Sequence, residues 1–96
     1  MTPPERRLAH HAKTRYLVYV RIGGPARKHH IDDLDILQAA RHAIREVPND
    51  DDDVMMLIGP ARNGALLEIG ILGAETDDPV IIHAMPMRPK YQAFLG

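Results

Sequence analysis

The sequence predicts an α+β domain in which one main α-helix packs on a small antiparallel β-sheet. A strand-like segment comes first, a single amphipathic helix follows, and three further strand-like segments end the chain. Because no helical segment separates the last three strands, we expect them to pair as an antiparallel meander, in the order β-α-β-β-β. A chain of 96 residues is long enough for one such domain.

The first strand is predicted over residues 16–22, which are rich in β-branched and aromatic side chains. It ends where Gly23 and Gly24 precede Pro25, because these residues favour turns over strands. Upstream of the strand, residues 4–12 could form a short N-terminal helix.

The main helix is predicted over residues 33–47. Asp32 or Asp33 can cap its N-terminus, apolar residues recur at helical spacing, and Pro48 ends it. Arg45 is expected on the exposed side of this helix.

Two strands of a β-hairpin are predicted over residues 54–58 and 65–72, because the turn between them contains Asn63-Gly64. A polar loop follows, and the last strand is predicted over residues 80–85.

Composition narrows the class of protein. The chain has no cysteine, which excludes disulfides and thiolate metal sites. No apolar run reaches the roughly 20 residues of a membrane span, so we expect a cytoplasmic protein. Residues 1–30 carry seven basic residues against one acidic residue, whereas residues 31–53 carry eight acidic residues against two basic ones. The two charged blocks either pair with each other or leave a basic surface for a polyanion.

Histidines suggest a metal site, but their spacing argues against one. His10-His11 and His29-His30 are adjacent pairs, whereas zinc ligands are usually separated by a few residues. The acidic run at 50–53 lacks the glycine and alternation of a calcium-binding loop and is expected to be a solvated loop. We therefore expect neither a metal nor another cofactor.

The C-terminal run at residues 81–91 carries the strongest functional signal. It starts as an apolar strand and then presents four polar side chains within nine residues, namely His83, Arg88, Lys90 and Tyr91. Such groups can hold a phosphodiester, move its protons and neutralise its charge. The alternative is a last strand with a basic, solvated tail.

Two further features are candidates for the same chemistry. Arg27, Lys28 and His29 lie at the predicted start of the helix and could bind phosphate, or they could simply lead into the helix. Glu68 lies in an apolar strand, where we expect it on an open face of the sheet. The alternative is a buried site that raises the pKa of its carboxyl group.

Three segments resemble the BrnT-like toxins. Residues 27–36 are similar to their "Lys-His-Gly-hydrophobic, then helix" opening, with His30 in place of the glycine. Residues 58–67 resemble their "Ile-Gly … Gly-hydrophobic" hairpin, and Met87-Arg88-Pro89 resembles their "Met-Arg-Pro" segment. The matches come in the expected order and cover about residues 16–95.

This resemblance implies a RelE-like fold, cleavage of RNA without a metal, inhibition of translation, and a small antitoxin partner encoded beside the toxin. The whole chain, 1–96, would be one domain, with residues 1–15 as an N-terminal extension and residues 16–95 as the toxin-like core. The resemblance singles out five residues: Lys28, His29, Arg62, Arg88 and Lys90.

The resulting hypothesis is an RNA endonuclease that uses the substrate's own 2′-hydroxyl as nucleophile. His83 or His29 would be the base or the acid, with Glu68 as a further candidate. Arg88 would hold the phosphate, and Lys28, Lys90, Arg62, Arg27 and Tyr91 would add to the RNA-binding surface. Two rivals are a non-catalytic nucleic-acid-binding module and a protein-interaction domain. The hypothesis predicts that Arg88→Ala lowers cleavage but leaves thermal stability nearly unchanged.

Overall fold

The computed structural model describes residues 20–96, and it confirms an α+β fold with one main helix on one sheet. The helix is α1 (Asp33–Arg41). The strands are β1 (Arg21–Ile22), β2 (Arg45–Val47), β3 (Val54–Pro60), β4 (Leu66–Leu72) and β5 (Val80–Pro86). Two 3-10 segments, Gly24–Arg27 and Pro89–Phe94, precede α1 and follow β5. The suggested helix at 4–12 and residues 16–19 of the predicted first strand lie outside the described residues.

The five strands lie in the order β1-β5-β4-β3-β2. The predicted antiparallel meander of three strands is confirmed, because β3 pairs with β4 and β4 with β5 as antiparallel neighbours. The strand β2, which was not predicted, extends this meander by pairing antiparallel with β3. The sheet as a whole is mixed, however, since β1 pairs in parallel with β5. The chain leaves β1 at one edge, crosses through α1 to β2 at the opposite edge, and returns through the meander.

The helix is shorter than predicted, and the assignment of residues 45–47 to it was wrong. The backbone N–H of His42 makes the last helical bond, to the carbonyl of Gln38. The chain then turns, and Arg45–Val47 forms β2 against β3, starting with the pair Arg45↔Ile58. Pairing with β3 supplies non-local backbone partners, which helical spacing in the sequence does not reveal. No helix within residues 20–96 is long and apolar enough to cross a membrane.

The sheet buries a different core on each face. On the first face, α1 packs its buried residues Ile36, Ala39 and Ala40 against the central strands. The helix α1 approaches the sheet closely at Gly59 of β3, where any side chain would collide with the backbone carbonyl of Ala39.

The second face is partly covered by the C-terminal segment, which folds back onto the sheet. Tyr91 is only 4% exposed and packs in one cluster with Val47, Met56 and Ile58. Burying a large side chain of this kind stabilises the fold by roughly 1.5–3 kcal/mol. The segment that carries Arg88 and Lys90 is therefore anchored to the sheet and is not a free tail.

A β-bulge in β5 determines which side chains face the second core. Ile81 lies opposite Ile71 and Ala84 lies opposite Ile69, yet only Gly70 separates Ile69 from Ile71. Ile82 is the additional residue, and His83 is the partner of Gly70. Both Ile81 and Ala84 belong to the first core. Because side chains alternate along a strand, the extra residue would place Ile81 and Ala84 on opposite faces, and the bulge keeps both in the first core with His83 on the second face, which is also the face of Glu68.

Candidate functional site

Glu68 is a fully buried carboxylate near the middle of the central strand β4. Its exposure is 0%, and it is the one charged side chain in the buried class within residues 20–96. The expectation that it lies on an open sheet face was therefore wrong. Met87 and Tyr91, on the returning C-terminal segment, pack on the same face of the sheet, and this cover was not evident from the strand alone.

The buried carboxylate binds His83 and Arg88 at once. Its Oε1 lies 2.8 Å from Nε2 of His83. The same oxygen accepts a hydrogen bond from Nε of Arg88 at 2.9 Å and forms an ion pair with Nη2 at 2.6 Å. Its Oε2 accepts the backbone N–H of Arg88 at 2.9 Å. Both oxygens are thus occupied by donors from the last strand and the segment that follows it.

These contacts decide the charge of Glu68. Burial alone would raise the pKa of its carboxyl group, as one of our two alternatives expected. The hydrogen bonds from the side chain and backbone of Arg88 and from His83, together with the charge of Arg88, outweigh burial and lower that pKa. The same carboxylate raises the pKa of Arg88. Glu68 is therefore ionised, and Arg88 is held in its charged form.

His83 and Arg88 both keep part of their surface open to solvent. The His83 side chain is 27% exposed and the Arg88 side chain 42%, whereas Glu68 between them is buried. Gly70 makes room for this arrangement, because a Cβ at residue 70 would lie only 3.0 Å from the Cβ of His83. An imidazole and a guanidinium are thereby held beside each other at the surface by one carboxylate.

A second imidazole lies next to the first. The ring of His29 packs edge-on against the ring of His83, with 6.2 Å between their centroids. The loop that carries His29 is held by Arg27, which donates to the carboxylate of Asp33 at 2.8 Å. In the same loop, His30 has a φ of 60°, a left-handed conformation that glycine adopts without strain.

The other predicted RNA-binding residues occupy different positions. Lys28 is exposed beside His29. Lys90 is exposed, with its ammonium 5.1 Å from the centre of the Tyr91 ring, and Arg88 lies 5.8 Å from the same ring. The ring itself is buried, so Tyr91 supports the two cations from below and is not an open stacking surface.

Arg62 and Arg27 are engaged in ion pairs with the start of α1. Arg62 donates to Asp35 at 2.8 Å through Nε and at 2.9 Å through its backbone N–H, and it also lies 3.4 Å from Asp32. These bonds tie the β3–β4 turn to the helix. The charged blocks of the sequence therefore pair in part, through Arg27 and Asp33. No group of three or more histidine, cysteine or acidic side chains within residues 20–96 is arranged to hold a metal ion.

The sequence did not reveal that Arg88 is bound to Glu68. Two prolines, Pro86 and Pro89, flank Arg88 and were the available signal for a constrained direction. Its partner, 20 residues away along the chain, could be identified only from the fold. The expectation that Arg88→Ala leaves stability unchanged is inconsistent with this contact, because the substitution would leave a buried carboxylate without its cation.

None of the known protein-family models, curated proteins or solved structures matches this chain. Its chemistry must therefore be inferred from the group formed by Glu68, His83, Arg88 and His29. That group combines two imidazoles for proton transfer with a fixed cation at the surface, and it suits reactions in which a proton moves while negative charge builds up.

Proposed function

We propose that this protein is a metal-independent RNA endonuclease, acting in the bacterial cytoplasm as the toxin of a toxin–antitoxin pair and inhibiting translation. The observation that carries the proposal is the buried carboxylate of Glu68, which holds an imidazole and a guanidinium at the surface with a second imidazole 6.2 Å from the first. The resemblance of three segments to the BrnT-like toxins supports the same class.

RNA cleavage matches the groups at this site because the substrate supplies its own nucleophile. His83 accepts the proton of the 2′-hydroxyl, and the 2′-oxygen forms a bond to the adjacent phosphorus. The bond between phosphorus and the 5′-oxygen breaks, and His29 in its protonated form gives a proton to that oxygen. The products are a 2′,3′-cyclic phosphate and a 5′-hydroxyl, and the two histidines exchange their protonation states.

Arg88 supplies the charge that this reaction needs. Negative charge develops on the phosphoryl oxygens in the transition state, and a preorganised cation stabilises it by roughly 2.7–4 kcal/mol. Because Glu68 binds Nε and Nη2 of Arg88, the guanidinium has a fixed direction at the surface. Lys28 and Lys90 would extend the cationic surface along the RNA backbone.

The proposed partner is a small antitoxin that covers this site. A cationic surface attracts an acidic segment, and a segment that occupied the space over His83 and Arg88 would block the substrate. Co-expression of the chain with the protein encoded beside it should give a stable complex and relieve growth inhibition.

The direct test is cleavage of a single-stranded RNA in the presence of EDTA. We expect products that end in a 2′,3′-cyclic phosphate, and a loss of about a hundredfold or more in His83→Gln and in His29→Gln. His42→Gln is a matched control, because His42 is exposed at the end of α1. RNA binding that weakens with salt but yields no products would instead identify a non-catalytic nucleic-acid-binding module. If the chain neither binds nor cleaves RNA, the remaining alternative is a protein-interaction domain.

A further inference from the structure

We infer that Glu68 is a positioning residue that fixes the tautomer of His83, so that Nδ1 of His83 is the atom that takes the proton of the substrate. The inference rests on the proposed function and names the atom through which His83 acts. It also excludes the role of proton acceptor that the sequence allowed for Glu68 itself.

Glu68 has no free position for a substrate proton. Its side chain is fully buried, and three nitrogen atoms lie against Oε1, namely Nε2 of His83 and Nε and Nη2 of Arg88. The second oxygen accepts the backbone N–H of residue 88. A general base must reach the proton that it removes, and no substrate hydroxyl can reach this carboxylate while the C-terminal segment is in place.

The ionised carboxylate dictates which nitrogen of His83 carries the proton. A carboxylate only accepts hydrogen bonds, so Nε2 of His83 at 2.8 Å must donate. A neutral imidazole has one N–H, and Nδ1 therefore keeps its lone pair. When Nδ1 takes a proton, the imidazolium that forms is already paired with the carboxylate of Glu68, and its charge is stabilised without any movement of the protein.

The first experiment reads the tautomer directly and needs no RNA. In nitrogen-15 spectra of the wild-type protein, neutral His83 should show a lone pair on Nδ1 and a proton on Nε2 that exchanges slowly with water. His42 provides an internal comparison in the same spectrum, because it is exposed and its ring proton should exchange fast. A proton on Nδ1 of neutral His83, or an Nε2 proton that exchanges as fast as that of His42, would overturn the inference.

The second experiment is a double-mutant cycle on RNA cleavage. Glu68→Gln should lower kcat by about a hundredfold in the wild-type background, because an amide carries no charge and its NH2 group cannot accept a hydrogen bond from His83, Arg88 or the backbone N–H of residue 88. In the His83→Ala background the same substitution should cost at least about tenfold less. An equal cost in the two backgrounds would show that Glu68 does not act through His83.

The combined outcomes of the two experiments, each with controls, distinguish a failure of this inference from a failure of the proposed function. Asp77→Asn, in the exposed loop before β5, should leave cleavage unchanged, and circular dichroism should show whether each variant folds. If the wild-type protein cleaves no RNA but His83 has the expected tautomer, the proposed function fails and the positioning by Glu68 stands. If the protein cleaves RNA but neutral His83 carries its proton on Nδ1, the proposed function stands and the positioning by Glu68 fails.

Discussion

Replacing Arg88 by alanine should destabilise the fold as well as the reaction. Breaking a buried ion pair by removing one partner usually costs about 3–5 kcal/mol. Arg88 is 42% exposed, so water can replace part of the guanidinium, and His83 and the backbone N–H of residue 88 still bind Glu68. We therefore expect a loss of about 2 kcal/mol in the free energy of unfolding, which is a large part of the stability of a small domain.

The pH dependence of this loss follows from the lowered pKa of Glu68 in the folded protein. A carboxyl group whose folded pKa is depressed stabilises the fold above its ordinary value of 4.5, and this contribution is lost as the pH falls through the folded pKa. Without Arg88, fewer contacts act against the effect of burial, which raises the pKa of Glu68. The difference in stability between wild type and Arg88→Ala should thus be largest near neutral pH and should shrink below about pH 4.5.

Urea unfolding followed by circular dichroism, at several pH values between 7 and 3, measures this difference. Arg88→Lys should lose less stability, because it keeps the charge but not the planar fork of donors. Arg21→Ala is the matched control, since Arg21 pairs with Asp78 in an exposed position and its removal should barely shift the midpoint. The reasoning would be refuted by an Arg88→Ala variant as stable as wild type at pH 7, or by a loss of equal size at pH 3.

Three further substitutions, and one control substitution, test other parts of the structure. His30→Gly should stabilise the fold by about 1 kcal/mol, because glycine has no Cβ and adopts the left-handed φ of 60° without steric cost. An unchanged urea midpoint would contradict this. Gly59→Ala should cost about 3 kcal/mol or prevent folding, since its Cβ would collide with α1, whereas Gly24→Ala meets nothing within 4 Å and should be neutral in thermal melts. Arg62→Ala should reduce RNA cleavage by less than about tenfold, because Asp35 already holds the guanidinium. A loss as large as that of Arg88→Ala would instead place Arg62 in the site.

The strands with local signals could be predicted from the sequence. The hairpin of β3 and β4 was placed within two residues at each end, because its turn contains Gly64, whose φ is 89°. The end of α1 could not be predicted, since the apolar residues Ile44 and Val47 fit helical spacing as well as they fit a strand. Their assignment depends on hydrogen bonds to β3, such as that from Ile44 N–H to the carbonyl of Ile58 at 2.7 Å.

The candidate site was predictable in composition but not in arrangement. His83, Arg88, Glu68 and His29 were each selected for their chemistry, and the fold does bring them together. The sequence could not show that Glu68 is buried, because its cover comes from a segment about 20 residues later in the chain. Nor could it separate Arg62, which is held by acidic residues of α1, from Arg88, because both are single arginines in turns or strand ends.

The extra residue in β5 has a consequence for comparing this chain with any relative. Deletion of Ile82 would remove the bulge, and Ile81, His83 and Ala84 would then alternate as in a regular strand, with the imidazole of residue 83 still opposite Gly70 and on the face of Glu68. A relative that is one residue shorter in this strand could thus carry the same site. An alignment that omits a gap at this position would pair His83 with a residue of the wrong face, and would hide a shared site between two chains that both have it.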